Sequence, residues 1–305
     1  MRLLAPAAVA ALIGVAAPAV AAPVLTDLTA TTPEQLAATL LGANSGILIN
    51  SATYTGSAVA SGLFTGGNSS GIGFDSGVAL TSGTLSTLPA GFNTQNLALG
   101  NPRLEQYNGG FATTNASTLT IEFTPQGNAI SLAYVFGSQD YQFSVGIGFN
   151  DVFAAEVNGT NRALVPGTDT PVSIDTVNCG DALGNNAANC DQFRDNRNGG
   201  VTDLDLEGLT RVFLLTAAVV PNAINTLTLS IADSSDPFFD SVVFLQAGSF
   251  VSCGGPVLPA CNGVPPPPGE VEEPGMIGLL GLAALTIAAT CRPRRRPYRA
   301  ARRRA

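Results

Sequence analysis

Apolar and polar residues alternate along much of the chain. The alternation is clearest in 119–123 and 227–231, where Leu, Ile and Phe are separated by Thr, Glu and Ser. A period of two residues is typical of strands with one buried face. Strands at the predicted spacing, joined by turns rich in Gly, Asn and Asp, indicate an all-β fold, an antiparallel β-sandwich of jelly-roll-like type. The predicted strands cover 47–51, 54–60, 77–81, 118–124, 130–136, 151–157, 162–165, 172–177, 209–218, 225–232 and 241–250.

One short N-terminal helix is predicted to precede these strands. Thr32 is the expected N-cap, Pro33 takes the first helical position and Gln35 completes a capping box. Three leucines would share the buried face of this helix: Leu36, Leu40 and Leu41.

The first 21 residues have the order of a secretory signal peptide. A positive charge at Arg2 precedes an apolar, alanine-rich stretch, and Ala19-Val20-Ala21 supplies a cleavage site. The alternative interpretation is a buried N-terminal helix. We expect export through the Sec pathway, with cleavage after Ala21.

The other end of the chain predicts a membrane tail. A Pro/Gly-rich linker over 252–273, extended like polyproline II, leads into an apolar segment at 276–291 and an arginine-rich tail at 292–305. Sixteen helical residues cover about 24 Å, less than a hydrocarbon core of about 30 Å, although local thinning and snorkelling arginines close such a gap. The tail's eight arginines favour a cytoplasmic C-terminus, so the preceding chain faces outward.

Residues 274–305 resemble the PEP-CTERM sorting signal. The resemblance rests on Glu273-Pro274-Gly275, on the apolar run at 278–283, and on a terminal arginine cluster that includes Arg294, Arg295 and Arg296. Glu272 stands where the family usually has its first proline, and the tail is longer than usual. The resemblance implies recognition by an exosortase, a transient inner-membrane anchor, removal of the tail, and delivery to the surface of a Gram-negative bacterium that makes exopolysaccharide.

The exported part of the chain is strongly acidic. It contains no lysine or histidine and keeps five arginines against 22 acidic residues, a net charge of −17. Such a surface repels nucleic acid and attracts divalent cations. Without histidine, Ser-His-Asp and Cys-His catalytic sites and His-ligated zinc sites are excluded.

Four cysteines lie in the exported part. In an oxidising compartment, local spacing favours the disulfides Cys179–Cys190 and Cys253–Cys261, although four cysteines permit three connectivities. Zinc binding is the competing interpretation, and the absence of a C-x-x-C motif speaks against it.

Residues 36–250 resemble the choice-of-anchor L domain, and we place the domain at 22–251. Members of that family share this body but attach to the surface by different C-terminal signals, and the resemblance implies no established activity. Family members usually have Ser-Glu-Glu-Tyr where this chain has SQDY at 138–141. The blocks that carry the resemblance include DSGVALTSG at 75–83, YVFGSQDY at 134–141, FNDVF at 149–153 and DSVVFLQAGSF at 240–250.

Clustered acidic residues predict a Ca²⁺ site, because calcium takes six to eight oxygen ligands that loops commonly present. Asp233, Asp236 and Asp240 lie at a predicted strand end and in the turn that follows, and Asp140 and Asp151 are further candidates. A second, weaker calcium candidate is the Asn- and Gly-rich loop at 195–200. The alternative is that these carboxylates cap backbone amides in turns.

These features predict a non-enzymatic surface or matrix protein that is stabilised by calcium. Its expected partners are the exosortase and either exopolysaccharide or neighbouring surface proteins, and not nucleic acid. Two alternatives stay open: an extracellular carbohydrate-active enzyme that uses a carboxylate pair, and a self-assembling adhesin.

We expect the mature protein to lack both ends of the chain. The intact mass of surface material should exclude residues 1–21 and the arginine-rich tail. A full-length C-terminus that persists at the cell surface would contradict the sorting interpretation.

Overall fold

The computed structural model describes residues 22–91, 94–197, 200–255, 258 and 261. The chain divides into two units, Met1–Pro265 and Pro266–Ala305, and every described residue belongs to the first. The predicted signal peptide, transmembrane segment and sorting motif therefore lie outside the described residues. Among the residues that are described, no helix is long and apolar enough to cross a membrane.

The described chain contains one α-helix and fourteen strands. In chain order they are β1 (Val24–Asp27), α1 (Pro33–Leu40), β2 (Ile47–Thr55), β3 (Ser61–Thr65), β4 (Ser76–Thr81), β5 (Thr113–Pro125), β6 (Ala129–Ser138), β7 (Val152–Val157), β8 (Thr160–Asn161), β9 (Phe193–Asp195), β10 (Gly208–Thr210), β11 (Phe213–Ala218), β12 (Asn225–Ser234), β13 (Ser241–Gln246) and β14 (Val251–Cys253).

Helix α1 begins as its sequence predicts. The Thr32 hydroxyl accepts a hydrogen bond from the Gln35 amide at 3.3 Å, and the Gln35 side-chain oxygen accepts one from the Thr32 amide at 2.9 Å. These two bonds form the capping box. Leu36 and Leu40 are buried, which confirms the helix and these two positions of its apolar face. Leu41 is instead the C-cap residue, half-buried against the core.

The strands form two antiparallel sheets. In the nine-stranded sheet the order is β1-β3-β4-β13-β6-β10-β9, with β11 and β14 also paired to β6, and in the five-stranded sheet it is β2-β5-β12-β7-β8. Every strand pairing in the two sheets is antiparallel. The all-β, two-sheet class is confirmed, and the finer jelly-roll-like connectivity stays a prediction.

The main hydrophobic core lies between the two sheets. Leu132, Tyr134 and Phe136 of β6 pack in the same cluster as Leu229 of β12 and Phe153 of β7. The Tyr134 and Phe153 ring centroids are 5.1 Å apart. Burying aromatic and aliphatic side chains in this way is the main source of free energy for such a domain.

The nine-stranded sheet is also covered on its other face. Val135 of β6 and Phe244 of β13 pack there against Phe64, Leu206 and Leu209. Burial on both faces explains why apolar residues fill consecutive positions at 132–136 of β6 and 242–245 of β13 instead of alternating.

Several predicted strand boundaries were wrong. Residues 162–165 and 172–177 form no named strand and make only isolated bridges, Leu164 with Pro171 and Val152 with Ser173. The predicted strand 209–218 is split, because residues 210–212 stand opposite only residues 135–136 of β6. The Arg211 amide donates instead to the Gln192 carbonyl at 2.8 Å, next to β9.

Other differences lie near the ends of the domain. Strand β2 runs through the predicted gap at 52–53, with a register shift between Ile49 and Ser51. Residues 58–60 form a 3₁₀ turn, and β1, β3 and β14 were not predicted. Two short strands inside the domain, β8 and β9, were not predicted either. Strand β14 contains Ser252 and Cys253, the first two residues of the predicted linker.

Both local disulfides are present. The Cα atoms of Cys179 and Cys190 are 4.6 Å apart, and those of Cys253 and Cys261 are 5.2 Å apart. The predicted pairing is therefore confirmed. The second bridge ties the chain beyond β14 back to the sheet.

We expect Leu229→Ala to destabilise the domain strongly. Leu229 is fully buried between the sheets, and removing such a side chain costs about 2 to 5 kcal/mol of unfolding free energy. Leu48→Ala is the matched control, because Leu48 is 64% exposed in β2 and the change should stay within about 0.5 kcal/mol. Urea unfolding measures both, and similar losses in the two variants would contradict the sandwich core.

Candidate functional site

Four aspartates are buried together where the two sheets meet at one end of the sandwich. Their exposed fractions are 2% or less. A buried carboxylate is costly unless it is paired or neutralised, so a group of four is unusual in a domain core. We call this group the aspartate cluster: Asp140, Asp151, Asp233 and Asp240.

The nine-stranded sheet supplies one pair of the cluster. Strand β6 ends at Ser138 and β13 begins at Ser241, and these two residues are register partners. Asp140 follows the end of β6 and Asp240 precedes β13, so the antiparallel pairing brings them to one edge. The Gln139 amide donates to the Asp240 carbonyl at 3.1 Å and holds the two segments together.

The five-stranded sheet supplies the other pair. Ala232 of β12 is the register partner of Val152 of β7. Asp233 follows Ala232 and Asp151 precedes Val152, so their backbones are adjacent across the ladder. The two pairs lie close enough for the negative charge of Asp140 to raise the pKa of Asp151.

Some cluster oxygens are well satisfied. Asp151 accepts one hydrogen bond from the Ser234 amide at 2.9 Å and one from the Ser241 hydroxyl at 2.6 Å. One Asp140 oxygen accepts from the Ser144 hydroxyl. These bonds fix the orientation of both carboxyl groups.

Other cluster oxygens have no partner. Asp233 Oδ2 accepts from Asn115 Nδ2 at 2.8 Å, and Asp240 Oδ2 accepts from the Thr94 amide at 2.7 Å. The Oδ1 atoms of Asp233 and Asp240 are buried without a hydrogen-bond partner among the described residues, as is Gln139 Oε1. An orphaned buried acceptor costs about 1 to 3 kcal/mol, and more for a charged group.

Gly83 makes room for Asp240. A Cβ atom at this position would lie 2.1 Å from Asp240 Oδ2 and 2.5 Å from its Cγ. The neighbouring Ser82 hydroxyl accepts from the Ser241 amide at 2.9 Å, which holds the start of β13 in place. Any side chain at position 83 would therefore displace the Asp240 carboxyl.

No cation from the described chain balances the cluster. The ion pairs of the described residues are Arg103 with Glu156 and Arg197 with Asp195, and neither includes a cluster member. The four carboxyl groups must therefore hold protons or an external cation.

Burial raises the pKa of every member of the cluster. For Asp140 and Asp240 it raises the pKa to about 7. For Asp151 and Asp233 burial raises the pKa well above its ordinary value, and the negative charges of neighbouring cluster members add to the effect. Near neutral pH the cluster therefore resists full ionisation.

The other predicted calcium ligands, Asp236 and Asp195, are not members of the aspartate cluster. Asp236 is half-buried in the turn between β12 and β13, where its Oδ1 accepts from the Phe238 amide at 3.0 Å. Its charge helps to raise the pKa of Asp140, which places it at the rim of the cluster. The Asp195 carboxylate is already paired with Arg197.

The donor atoms of the cluster suit calcium in type, although they do not form a finished cage. Among the described residues, no three His, Cys, Asp or Glu side chains stand in the geometry of a metal site. The orphaned oxygens of Asp233, Asp240 and Gln139 are nevertheless the carboxylate and amide ligands that Ca²⁺ prefers. A bound cation would also supply the positive charge that the ion pairs of the described residues do not bring to the cluster.

Sequence reasoning missed the role of Asn115. Strand β5 has a bulge here, since Ser117 pairs with Ile231 and Thr114 with Asp233. Asn115 adopts a φ of 54°, a left-handed conformation that asparagine tolerates. The bulge turns its amide toward Asp233. An asparagine inside an otherwise regular strand was the available signal.

The chain belongs to the choice-of-anchor L domain family. The family's model matches residues 24–251, well over half of the chain. Membership indicates a surface-located or exported protein. No curated protein and no solved structure matches the chain.

We expect the cation-free protein to lose stability as the pH rises from about 4 to about 7. Burial raises the pKa of Asp140 and Asp240 from 3.8 to about 7 in the folded state. The folded protein therefore binds more protons than the unfolded chain in this interval, and its free energy of unfolding falls with pH.

Thermal unfolding in chelator at pH 5 and pH 8 measures this effect. Asp240→Asn should flatten the dependence, because an amide does not titrate. Asp169→Asn, at an exposed position, should leave it unchanged. A wild-type melting temperature that stays constant or rises between these two pH values would show that the cluster is not protonated.

Proposed function

We propose that this protein is a non-enzymatic module of the cell surface or extracellular matrix, and that Ca²⁺ bound by the aspartate cluster stabilises its sandwich domain. The observation that carries the proposal is the pair of orphaned oxygens, Asp233 Oδ1 and Asp240 Oδ1, in a group of buried acids without a positive partner among the described residues.

Electrostatic repulsion supports a cation over bare carboxylates. Two ionised carboxylates about 4 Å apart repel by about 1 to 4 kcal/mol at effective dielectric constants of 80 to 20. A divalent cation reverses the sign of this interaction for each ligand. Because the four acids come from both sheets, the ion would join the two layers of the sandwich.

The negative charge of the exported part also favours binding of a divalent cation to the aspartate cluster outside the cell. The exported part carries a net charge of −17, and such a surface concentrates divalent cations around it. The same charge disfavours nucleic acid as a partner.

Burial of the cluster argues against a carboxylate-pair glycosidase. Such enzymes need two acids that flank a sugar bond in an accessible cleft. Asp140, Asp151, Asp233 and Asp240 are 2% exposed or less, so a polysaccharide chain cannot reach between them. We therefore favour a structural role for these residues.

We further propose that the two ends of the chain govern its delivery. Export through the Sec pathway would remove residues 1–21. The segment 276–291 would then anchor the protein in the inner membrane until an exosortase removes the tail at 274–305. Exopolysaccharide or neighbouring surface proteins are the proposed partners of the exposed domain.

Calcium should raise the melting temperature of the domain. Binding only to the folded state adds about 2.7 kcal/mol at a hundredfold excess over the dissociation constant. Differential scanning fluorimetry at pH 7.5, with calcium or with chelator, measures the shift. An unchanged wild-type melting temperature would mean that the cluster holds protons and no calcium.

Two substitutions in the cluster test whether the calcium-induced rise in melting temperature arises there. Asp233→Asn and Asp240→Asn should each abolish most of the calcium-induced rise. In chelator both variants should melt at or above the wild-type temperature, since each removes a repelling charge. Asp169→Asn is the matched control at an exposed position and should keep the full rise. A rise that survives in both cluster variants would place calcium elsewhere.

A further inference from the structure

An irregular segment, residues 94–101, runs beside the beginning of β5. It contains no helix or strand. The Asn115 and Ala116 amides donate to the carbonyls of Ala98 and Leu99, both at 3.1 Å. Leu97 and Leu99 are 82% and 90% exposed, so this segment displays apolar side chains while burying few.

Two amides of the 94–101 segment are anchored to the aspartate cluster. The Thr94 amide donates directly to Asp240 Oδ2 at 2.7 Å. The Leu97 amide donates to Asn115 Oδ1 at 3.2 Å, and Asn115 Nδ2 donates onward to Asp233 Oδ2 at 2.8 Å. Leu97 has a φ of 60°, which leucine rarely adopts.

We propose that the cation in the aspartate cluster holds the 94–101 segment in place. This inference rests on the proposed function. Asp240 Oδ2 accepts from the Thr94 amide of the segment, and Asp233 Oδ2 accepts from Asn115, which in turn holds the Leu97 amide. The Oδ1 atoms of Asp233 and Asp240 have no partner among the described residues. A cation that binds the Oδ1 atoms fixes both carboxylates and so preserves both anchors. Without it, no described group holds the Oδ1 atoms, so both carboxyl groups can turn and both anchors weaken.

Other hydrogen bonds hold most of the 94–101 segment in place when the cation leaves, so few of its positions are released. The Thr94 hydroxyl accepts from the Thr84 amide at 3.0 Å, and Asn96 donates to the Ser82 carbonyl at 2.6 Å. Neither contact uses a carboxylate, so both persist when the cation leaves. The change is therefore local and concerns the Thr94 and Leu97 amides above all.

Hydrogen–deuterium exchange resolved to single amides tests the inference on the exported protein at pH 7.5. Chelator should speed exchange of the Thr94 and Leu97 amides by about tenfold or more relative to calcium, as expected for local opening. The Gln126 amide is the internal control. It donates to the Gly46 carbonyl at 2.8 Å at the opposite end of β5 and should not respond.

The variant Asn115→Gly separates the two anchors. Glycine accepts the positive φ of this position but lacks the bridging amide. In this variant the Leu97 amide should exchange fast with or without calcium, whereas the Thr94 amide should keep its calcium dependence. Asn101→Ala, which alters the same segment without touching the cluster, should leave the wild-type response intact.

The outcomes distinguish this inference from the proposed function. A calcium-induced rise in melting temperature with unchanged exchange at Thr94 and Leu97 would overturn the anchoring and leave the calcium site standing. If calcium does not raise the melting temperature, the calcium site fails, and the inference built on it fails too.

Discussion

Four buried carboxyl groups lie together, and no positive side chain of the described residues pairs with them. The way in which their charge is neutralised determines the stability of this end of the sandwich. Burial raises the pKa of Asp140 and Asp240 to about 7, and at Asp140 the charges of Asp236 and Asp240 add to the effect. Protons or a divalent cation can each meet this requirement. They differ in consequence, because a cation can bind several carboxylates at once, whereas each proton neutralises one.

The architecture explains why the acids meet. Each sheet contributes one pair through a single antiparallel pairing, β6 with β13 and β7 with β12. Along the chain, the connections from β6 to β7 and from β12 to β13 each cross between the sheets at this end. The cluster therefore lies where both crossings occur. A group that binds all four acids would stabilise the sandwich as a unit, whereas the loss of one acid would affect both layers.

Hydrogen bonds of Asp233 and Asp240 connect the aspartate cluster to the surface of the domain. Asp240 binds the Thr94 amide directly, and Asp233 binds Asn115, whose side chain holds the Leu97 amide. The state of a buried site is thus connected through one or two hydrogen bonds to a segment whose leucines face solvent. If calcium binds the cluster as proposed, this connection would let the calcium concentration affect the surface of the domain.

The sequence alone determined the class of fold and the capped helix, and it favoured the disulfide pairs that the structure contains. These features depend on local spacing: the two-residue period, the Thr32 to Gln35 capping box, and cysteines eleven or eight residues apart. It also identified all four aspartates as candidate ligands, but it grouped Asp236 with Asp233 and Asp240 because they are close along the chain. Only the tertiary structure separated Asp236 from the cluster and joined Asp140 and Asp151 to the other two. That grouping depends on strand register and on the bulge at Asn115, which are set by pairing between strands distant in the chain, and no local pattern encodes them.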